Sequence, residues 1–162
     1  MPNKIYQHDE TAITWLASAG TNVLTLTSVA AGAGRQGAHD DFGTAARSKV
    51  YAWRAWVKFA TTPVVGEVVY IYWKSSDGTH HDNDDGTGDI AVSAEDKLRN
   101  LKLIGRIIVD EASTTPEFVG SGEIMVPHRY GAPVFWNATA DALSGTAGDH
   151  GFSLTPIPPE VQ

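Results

Sequence analysis

Apolar and polar residues alternate with a period of two along much of the chain, and this pattern predicts β-strands. The clearest case is KVYAWRAWVKF, residues 49–59. One side of this predicted strand holds Tyr51, Trp53, Ala55, Val57 and Phe59. Arg54, Trp56 and Lys58 fall on the other side, so Trp56 is the tryptophan expected to be most exposed.

The next run, GEVVYIYWK at residues 66–74, has bulky side chains on both sides of the predicted strand. We therefore expect it to lie centrally and to be covered on both faces. Pro63 and Gly66 indicate a turn before it, and the two runs together predict an antiparallel hairpin.

Five further segments are rich in branched or aromatic residues and bounded by turn-forming residues. They are NVLTLTSV (22–29), LKLIGRIIV (101–109), EFVGSGEIMV (117–126), APVFWNAT (132–139) and GFSLTPI (151–157). One short helix is predicted at residues 93–101, with Ser93 as the cap and Asp96 returning the bond. The pattern predicts about seven strands in a single-domain, all-β antiparallel sandwich or jelly roll over residues 1–162.

Three segments are expected to be extended or irregular. Residues 28–47 are glycine-rich and predict a surface loop or arm, and residues 1–20 predict an extended N-terminal arm. Residues 156–162 carry three prolines, which favours an extended tail. Extended segments of this kind are typical of a subunit that binds neighbouring subunits in an assembly.

Composition narrows the class of protein. The 162 residues are 42% hydrophobic and 19% charged, as in a globular domain, and the net charge of −7 disfavours direct binding to nucleic acid. The absence of cysteine excludes disulfides and thiolate metal sites. No secretory signal pattern or membrane-spanning apolar run occurs, so a non-membrane protein is expected.

The segment HHDNDDGTGD at residues 80–89 is the densest cluster of chemically interesting side chains. It fails the EF-hand pattern, because Val92 stands where the bidentate glutamate belongs when Gly86 is the sixth position. An irregular calcium site from Asp82, Asp84 and Asp89 is the alternative to a plain surface turn, which we favour. His80 and His81 point to opposite sides of an extended chain and are not expected to share zinc. We predict no metal site and no cofactor.

Catalytic motifs are weak. GAGRQG at residues 32–37 fits G-x-G-x-x-G, but neither a following helix nor an acidic residue about 20 positions later completes a dinucleotide site. Ser121 lies in a strand-like run without a placed histidine. The neighbouring carboxylates Asp40/Asp41 and Glu95/Asp96 do not by themselves indicate a glycosidase pair. We predict that the protein is not an enzyme and has no catalytic residues.

Aromatic residues at alternate strand positions usually form core, although a sugar-stacking platform is the alternative. Trp56, beside Arg54 and Lys58, is the candidate for contact with a glycan or a protein partner. The other candidates are core residues on this interpretation: Trp53, Trp73, Trp136, Tyr51, Tyr70 and Tyr72.

The order of several short motifs between residues 20 and 162 resembles a group of small virion structural proteins of tailed bacteriophages. The motifs are GRQGAHDDFG, TTPVVGEVVYIYW, LKLIGRIIV, VPHRYGAPVFWNATADAL and GDHGFSLTPIPPEVQ. The resemblance implies a β-sandwich or jelly-roll subunit on the phage particle, specifically a capsid decoration (cement) protein. It would bind the major capsid protein, form a homo-oligomer such as a trimer, and locate to the capsid surface of the virion after synthesis in the host cytoplasm. It assigns no functional residue.

Two other functions stay open on the sequence. One is a tail or fibre module that binds a host-surface glycan or another virion protein through Trp56 and the 76–90 loop. The other is a cellular carbohydrate-binding or hydrolytic sandwich that depends on Asp82 and Asp84.

Overall fold

The computed structural model describes residues 5–7, 10–43, 48–157 and 159–161. Thirteen strands occur in this part of the chain, in the following order. They are β1 (Ile5–Gln7), β2 (Ile13–Leu16), β3 (Asn22–Val23), β4 (Ala33–Gln36), β5 (Asp40–Asp41), β6 (Val50–Val57), β7 (Val68–Ser76), β8 (Ile90–Val92), β9 (Lys102–Ile108), β10 (Phe118–Met125), β11 (Tyr130–Asn137), β12 (Gly151–Pro156) and β13 (Pro159–Val161). Two short 3-10 helices span Glu95–Leu98 and Ala147–Asp149.

Two mostly antiparallel sheets pack against each other. The first sheet has the strand order β10-β6-β12-β2-β3, in which β2 and β3 are parallel. The second has the order β8-β4-β11-β7-β9, and β5 pairs with the end of β11. β1 and β13 form a separate two-stranded ribbon. The predicted all-β sandwich is confirmed.

Aromatic side chains from both sheets meet in the main core. Trp15 of the first sheet contacts Trp73 of the second edge-on, with ring centroids 6.0 Å apart. Phe152 stacks on Trp53 at 6.2 Å and meets Phe135 of the opposite sheet edge-to-face at 6.3 Å. Burial of each such ring stabilises the fold by a few kcal/mol.

A second, smaller core lies on the outer face of the second sheet, where Leu98 and Leu101 pack against β8 and β11. Its buried members are Val92, Leu98, Leu101, Val134 and Trp136. Tyr70 and Tyr72, on the outer side of β7, pack against it and are partly buried. β7 is therefore covered on both faces, as its apolar pattern predicts.

The predicted hairpin of residues 49–59 with 66–74 is wrong. β6 pairs with β10 and β12 in the first sheet, whereas β7 pairs with β11 and β9 in the second. The chain crosses between the sheets through a turn at Gly66, whose φ of 95° favours glycine. The alternation of apolar and polar residues identifies the buried side of each strand. It does not show whether two strands pair within one sheet or face each other from opposite sheets.

The glycine-rich segment 28–47, predicted as a loop or arm, contributes strands instead. β4 lies between β8 and β11, and β5 continues along β11. Gly34 is required at this position, because a Cβ there would lie 2.9 Å from Trp136 Cε3. Small residues here reflect close packing between strands, and not a loose chain. Residues 44–47 lie outside the described part.

The two predicted terminal arms are also partly strands. Residues 1–20 include β2, an interior strand of the first sheet, and residues 156–162 include β13, which pairs with β1. Positions 1–4, 8–9, 158 and 162 are outside the described residues. The predicted helix at 93–101 is a single 3-10 turn, and its N-cap is Ala94 and not Ser93.

Candidate functional site

An apolar row crosses the solvent-facing side of the first sheet. It consists of Val119, Trp56, Gly151, Leu16 and Val23, one residue from each of the five strands. The two ends are well exposed, Val119 at 42% and Val23 at 46%, and Trp56 and Leu16 are half-buried. With strands about 4.8 Å apart, the row is about 19 Å long.

Gly151 creates the flat centre of the apolar row. A Cβ on this residue would lie 2.6 Å from Trp56 Cη2 and 2.7 Å from Leu16 Cδ2. The missing side chain lets the indole of Trp56 lie against the sheet. The sequence correctly distinguished Trp56 from the core tryptophans Trp53, Trp73 and Trp136, which are at most 7% exposed.

Polar side chains border the apolar row. The next cross-strand row contains Ser121, Arg54, Ser153 and Thr14. On the opposite side of the apolar row from Arg54, the ammonium of Lys58 lies 3.4 Å from the carboxylate of Asp149. An apolar centre with a polar border is the usual anatomy of a protein interface.

The acidic loop, defined here as residues 77–89, is an ordered turn whose carboxylates bind its own backbone and nearby bases. Asp77 accepts hydrogen bonds from the amides of Thr79 (2.8 Å) and His80 (2.7 Å), which hold its pKa below the usual range. Asp82 accepts the amide of Ser75 at 2.8 Å. These contacts are those expected of Asp-rich turns.

Two salt bridges attach the acidic loop to the sandwich. The carboxylate of Asp89 accepts two hydrogen bonds from the guanidinium of Arg35, with both N···O distances 2.7 Å. Burial alone would raise the pKa of Asp89, but hydrogen bonds from Arg35 and the Thr25 amide lower it. Asp85, which is nearly buried, is paired with Lys97 of the short 3-10 helix.

Lys74 is the anchor beneath the acidic loop. Its side chain is fully buried, and its ammonium donates to Gln36 Oε1 at 2.9 Å, to the carbonyl of Gly86 at 2.8 Å and to the carbonyl of Asp85. Gln36, also fully buried, donates to the carbonyls of Gly86 and Gly88. Burial lowers the pKa of Lys74 to about 8. Neither role was predicted from the sequence.

The three aspartates considered as calcium ligands make different contacts. Asp82 binds the backbone of β7, Asp89 binds Arg35, and Asp84 is exposed. Among the residues that the structure describes, no group of three or more His, Cys, Asp or Glu side chains converges in a way suited to a metal ion. GAGRQG at 32–37 contains β4 and leads into β5. Gly34 packs against Trp136 and Gly37 against Trp15, whereas Gly32 lies in a turn with a φ of 67°.

A cleft of about 320 Å³ lies between the acidic loop and β5. Its walls include His39, Asp41, Ser76, His81, Thr87 and Tyr130. The imidazole rings of His39 and His81 are 5.7 Å apart between centroids. Burial, with the nearby charges of Lys74 and His81, lowers the pKa of His39 to about 4. Asp41 at the rim forms a bidentate pair with Arg129, at 2.9 and 2.8 Å.

Sequence reasoning missed the proximity of His39 and His81, because 42 positions and three strands separate them. The carboxylate neighbours Asp40 and Asp41 diverge, Asp40 being buried and Asp41 reaching Arg129. Ser121 is exposed on β10, in register with Arg54.

No helix in the described residues is long and apolar enough to cross a membrane. No protein-family model matches the chain, and a search of curated proteins finds no significant match.

Proposed function

We propose that this chain is a structural protein of a tailed-bacteriophage particle, a capsid decoration subunit that binds and stabilises the shell of major capsid protein. The apolar row is the observation that carries the proposal, as the surface that meets the shell. The resemblance of the motif order to small phage virion proteins supplies the class of partner.

The physical support is the composition of that surface. A specific interface covers roughly 800 Å² of each partner, and an apolar row about 19 Å long with a polar border provides a centre for one. Tryptophan and arginine contribute strongly to binding at such centres, and Trp56 and Arg54 belong to neighbouring rows of the same strand. Repetition around a symmetric shell, as a trimer or another homo-oligomer, would multiply a modest contact.

The test uses particles from which the chain's gene has been deleted, with purified chain added back. Quantitative mass spectrometry gives the copies bound per particle, and heating gives particle stability. We expect copy numbers comparable to the major capsid protein and restored heat resistance. A saturating value of only a few copies per particle contradicts the decoration role.

Two exposed positions of the apolar row provide sharper variants. Val119→Asp and Val23→Asp each place a charge at one end of the row and should lower binding at least tenfold. Val64→Asp is the matched control, because Val64 is 57% exposed and lies in the turn before Gly66. Equal binding by all three variants contradicts the proposed surface.

Trp56 also favours a second candidate, a tail or fibre module that binds a host-surface glycan. Its indole lies against Gly151 and is partly exposed, an arrangement on which a sugar ring can stack. Glycan-array binding that is lost in Trp56→Ala, together with labelling of tails and not heads, would favour this function.

A further inference from the structure

We propose that the outer face of β7 and β9 binds the same face of a second copy of this chain about a two-fold axis. We name this face the β9 patch and define it by three pairs of residues in register on β7 and β9: Val68 and Ile108, Tyr70 and Arg106, and Tyr72 and Leu103. The β9 patch and the apolar row lie on opposite sheets, so this inference does not depend on the proposed function.

The first observation is that apolar side chains are exposed at both ends of the β9 patch. Leu103 is 52% exposed and Ile108 is 48% exposed. Their neighbours on β7, Tyr72 and Val68, are partly exposed. Five residue steps along a strand separate Leu103 from Ile108 by about 17 Å. A cluster of exposed apolar side chains on one face marks a site of interaction with another protein.

The second observation concerns the centre of the patch, where Tyr70 lies in register with Arg106. A shallow depression of about 280 Å³ lies here, and its walls include Tyr70, Leu103, Gly105 and Arg106. Arg106 is exposed and forms no ion pair with another described residue. Its guanidinium is therefore available to lie over an aromatic ring of a partner.

The third observation is the distribution of charge, which favours a second copy as the partner. Arg99 and Lys102 lie at the start of β9, whereas Asp110 and Glu111 follow its end. All four side chains are exposed, and none forms an ion pair with another described residue. When two copies pack with their β9 strands antiparallel, the basic end of each copy meets the acidic end of the other. The β9 patch is thus electrostatically complementary to itself, as a two-fold interface requires.

The same rotation brings the apolar ends together. It places Leu103 of one copy near Ile108 of the other, and Arg106 of one copy over Tyr70 of the other. Each contact is made twice. The patch is short compared with an interface that covers roughly 800 Å² of each partner, so we expect a reversible dimer that forms at micromolar concentrations.

The first test is sedimentation velocity of the purified chain over a wide range of concentrations, with no other virion protein present. We expect a monomer–dimer equilibrium. Leu103→Asp and Ile108→Asp should each raise the dissociation constant at least tenfold, because each places a charge in the apolar part of the interface. Met125→Asp is the matched control, since Met125 is 60% exposed on β10 of the other sheet. It should change the dissociation constant by less than twofold.

The second test reverses the charges at one end of the patch. One variant carries Arg99→Glu and Lys102→Glu, and the other carries Asp110→Lys and Glu111→Lys. Each variant alone brings like charges together across the two-fold axis and should dimerise at least tenfold more weakly. An equal mixture of the two variants should form a heterodimer, because acidic ends then meet basic ends at both places.

The proposal is overturned if the chain stays monomeric up to its solubility limit or forms a trimer, since a two-fold contact closes with two copies. It is equally overturned if Leu103→Asp and Ile108→Asp dimerise normally, if Met125→Asp loses as much affinity as they do, or if the mixture of charge-reversed variants stays monomeric. None of these outcomes bears on binding to the shell, which is measured on particles.

Discussion

At the scale of single residues, two buried polar side chains hold the acidic loop in place by hydrogen bonds to its backbone. Lys74 and Gln36 direct their donors at the backbone carbonyls of the acidic loop, and both are fully buried. The aspartates of the loop were recognisable as turn-formers from the sequence. The buried lysine was not, because Lys74 ends an apolar strand, where a lysine is usually exposed, and nothing adjacent in the chain reveals its partners.

Replacement of Lys74 by methionine should loosen the acidic loop. The change roughly keeps the length of the side chain but leaves the carbonyl of Asp85 without its donor and the carbonyl of Gly86 with Gln36 alone. The expected cost is about 1–3 kcal/mol in the free energy of unfolding. Urea unfolding measures this cost, and hydrogen exchange of amides 77–89 should accelerate selectively. Lys102→Met, at an exposed position of β9, is the control and should change neither measurement.

His150 should make stability depend on pH. Its Nδ1 accepts the amide of Lys58 at 3.4 Å, its Nε2 lies 2.9 Å from the carbonyl of Ser144, and burial lowers its pKa. The unfolded chain therefore takes up a proton below about pH 6.5 that the folded chain resists. Stability is fully present above this pH and decreases as the pH falls below it.

The measurement is urea unfolding at pH 7.5, 6.0 and 5.0. His150→Gln should show a shallower decrease between pH 6.5 and 5, although His39 will retain part of the dependence because its pKa is also lowered. His128→Gln, at an exposed residue, should follow the unaltered chain. A slope unchanged by His150→Gln would show that other groups cause the dependence.

At the scale of elements, the strands were easier to predict than their partners. The pattern of large apolar residues located β6, β7, β9, β10, β11 and β12, because each strand has at least one side in a core. β4 was missed, since its residues are small or polar and its identity depends on packing against Trp136. The apolar row could not be predicted either, because its five members come from strands scattered along the chain.

Gly151→Ala should disturb the apolar row without adding a charge. The new methyl group overlaps Trp56 and Leu16, and such crowding costs about 1–3 kcal/mol. We expect a lower midpoint of thermal unfolding and a change in tryptophan fluorescence. Gly148→Ala, where the added atom meets open space, is the matched control. Equal stability of the two variants would mean that the sheet absorbs the overlap.

At the scale of the whole molecule, aromatic contacts connect the two sheets into one unit. Trp15, Trp53 and Trp73 all contact Phe152, which places the tryptophans of both sheets around one ring. We expect a single cooperative unfolding transition, with tryptophan fluorescence and far-ultraviolet circular dichroism changing together. Two separated transitions would show that the sheets unfold independently.

The order of the strands in the first sheet has a consequence for synthesis in the cell. β12 lies between β6 and β2, so these two earlier strands do not pair directly with each other. The sheet is divided into two pieces until residues 151–156 have left the ribosome. Folding must then join strands about 140 positions apart, which is intrinsically slow. Until that moment the nascent protein carries unpaired edges, and assistance by chaperones would have most effect there.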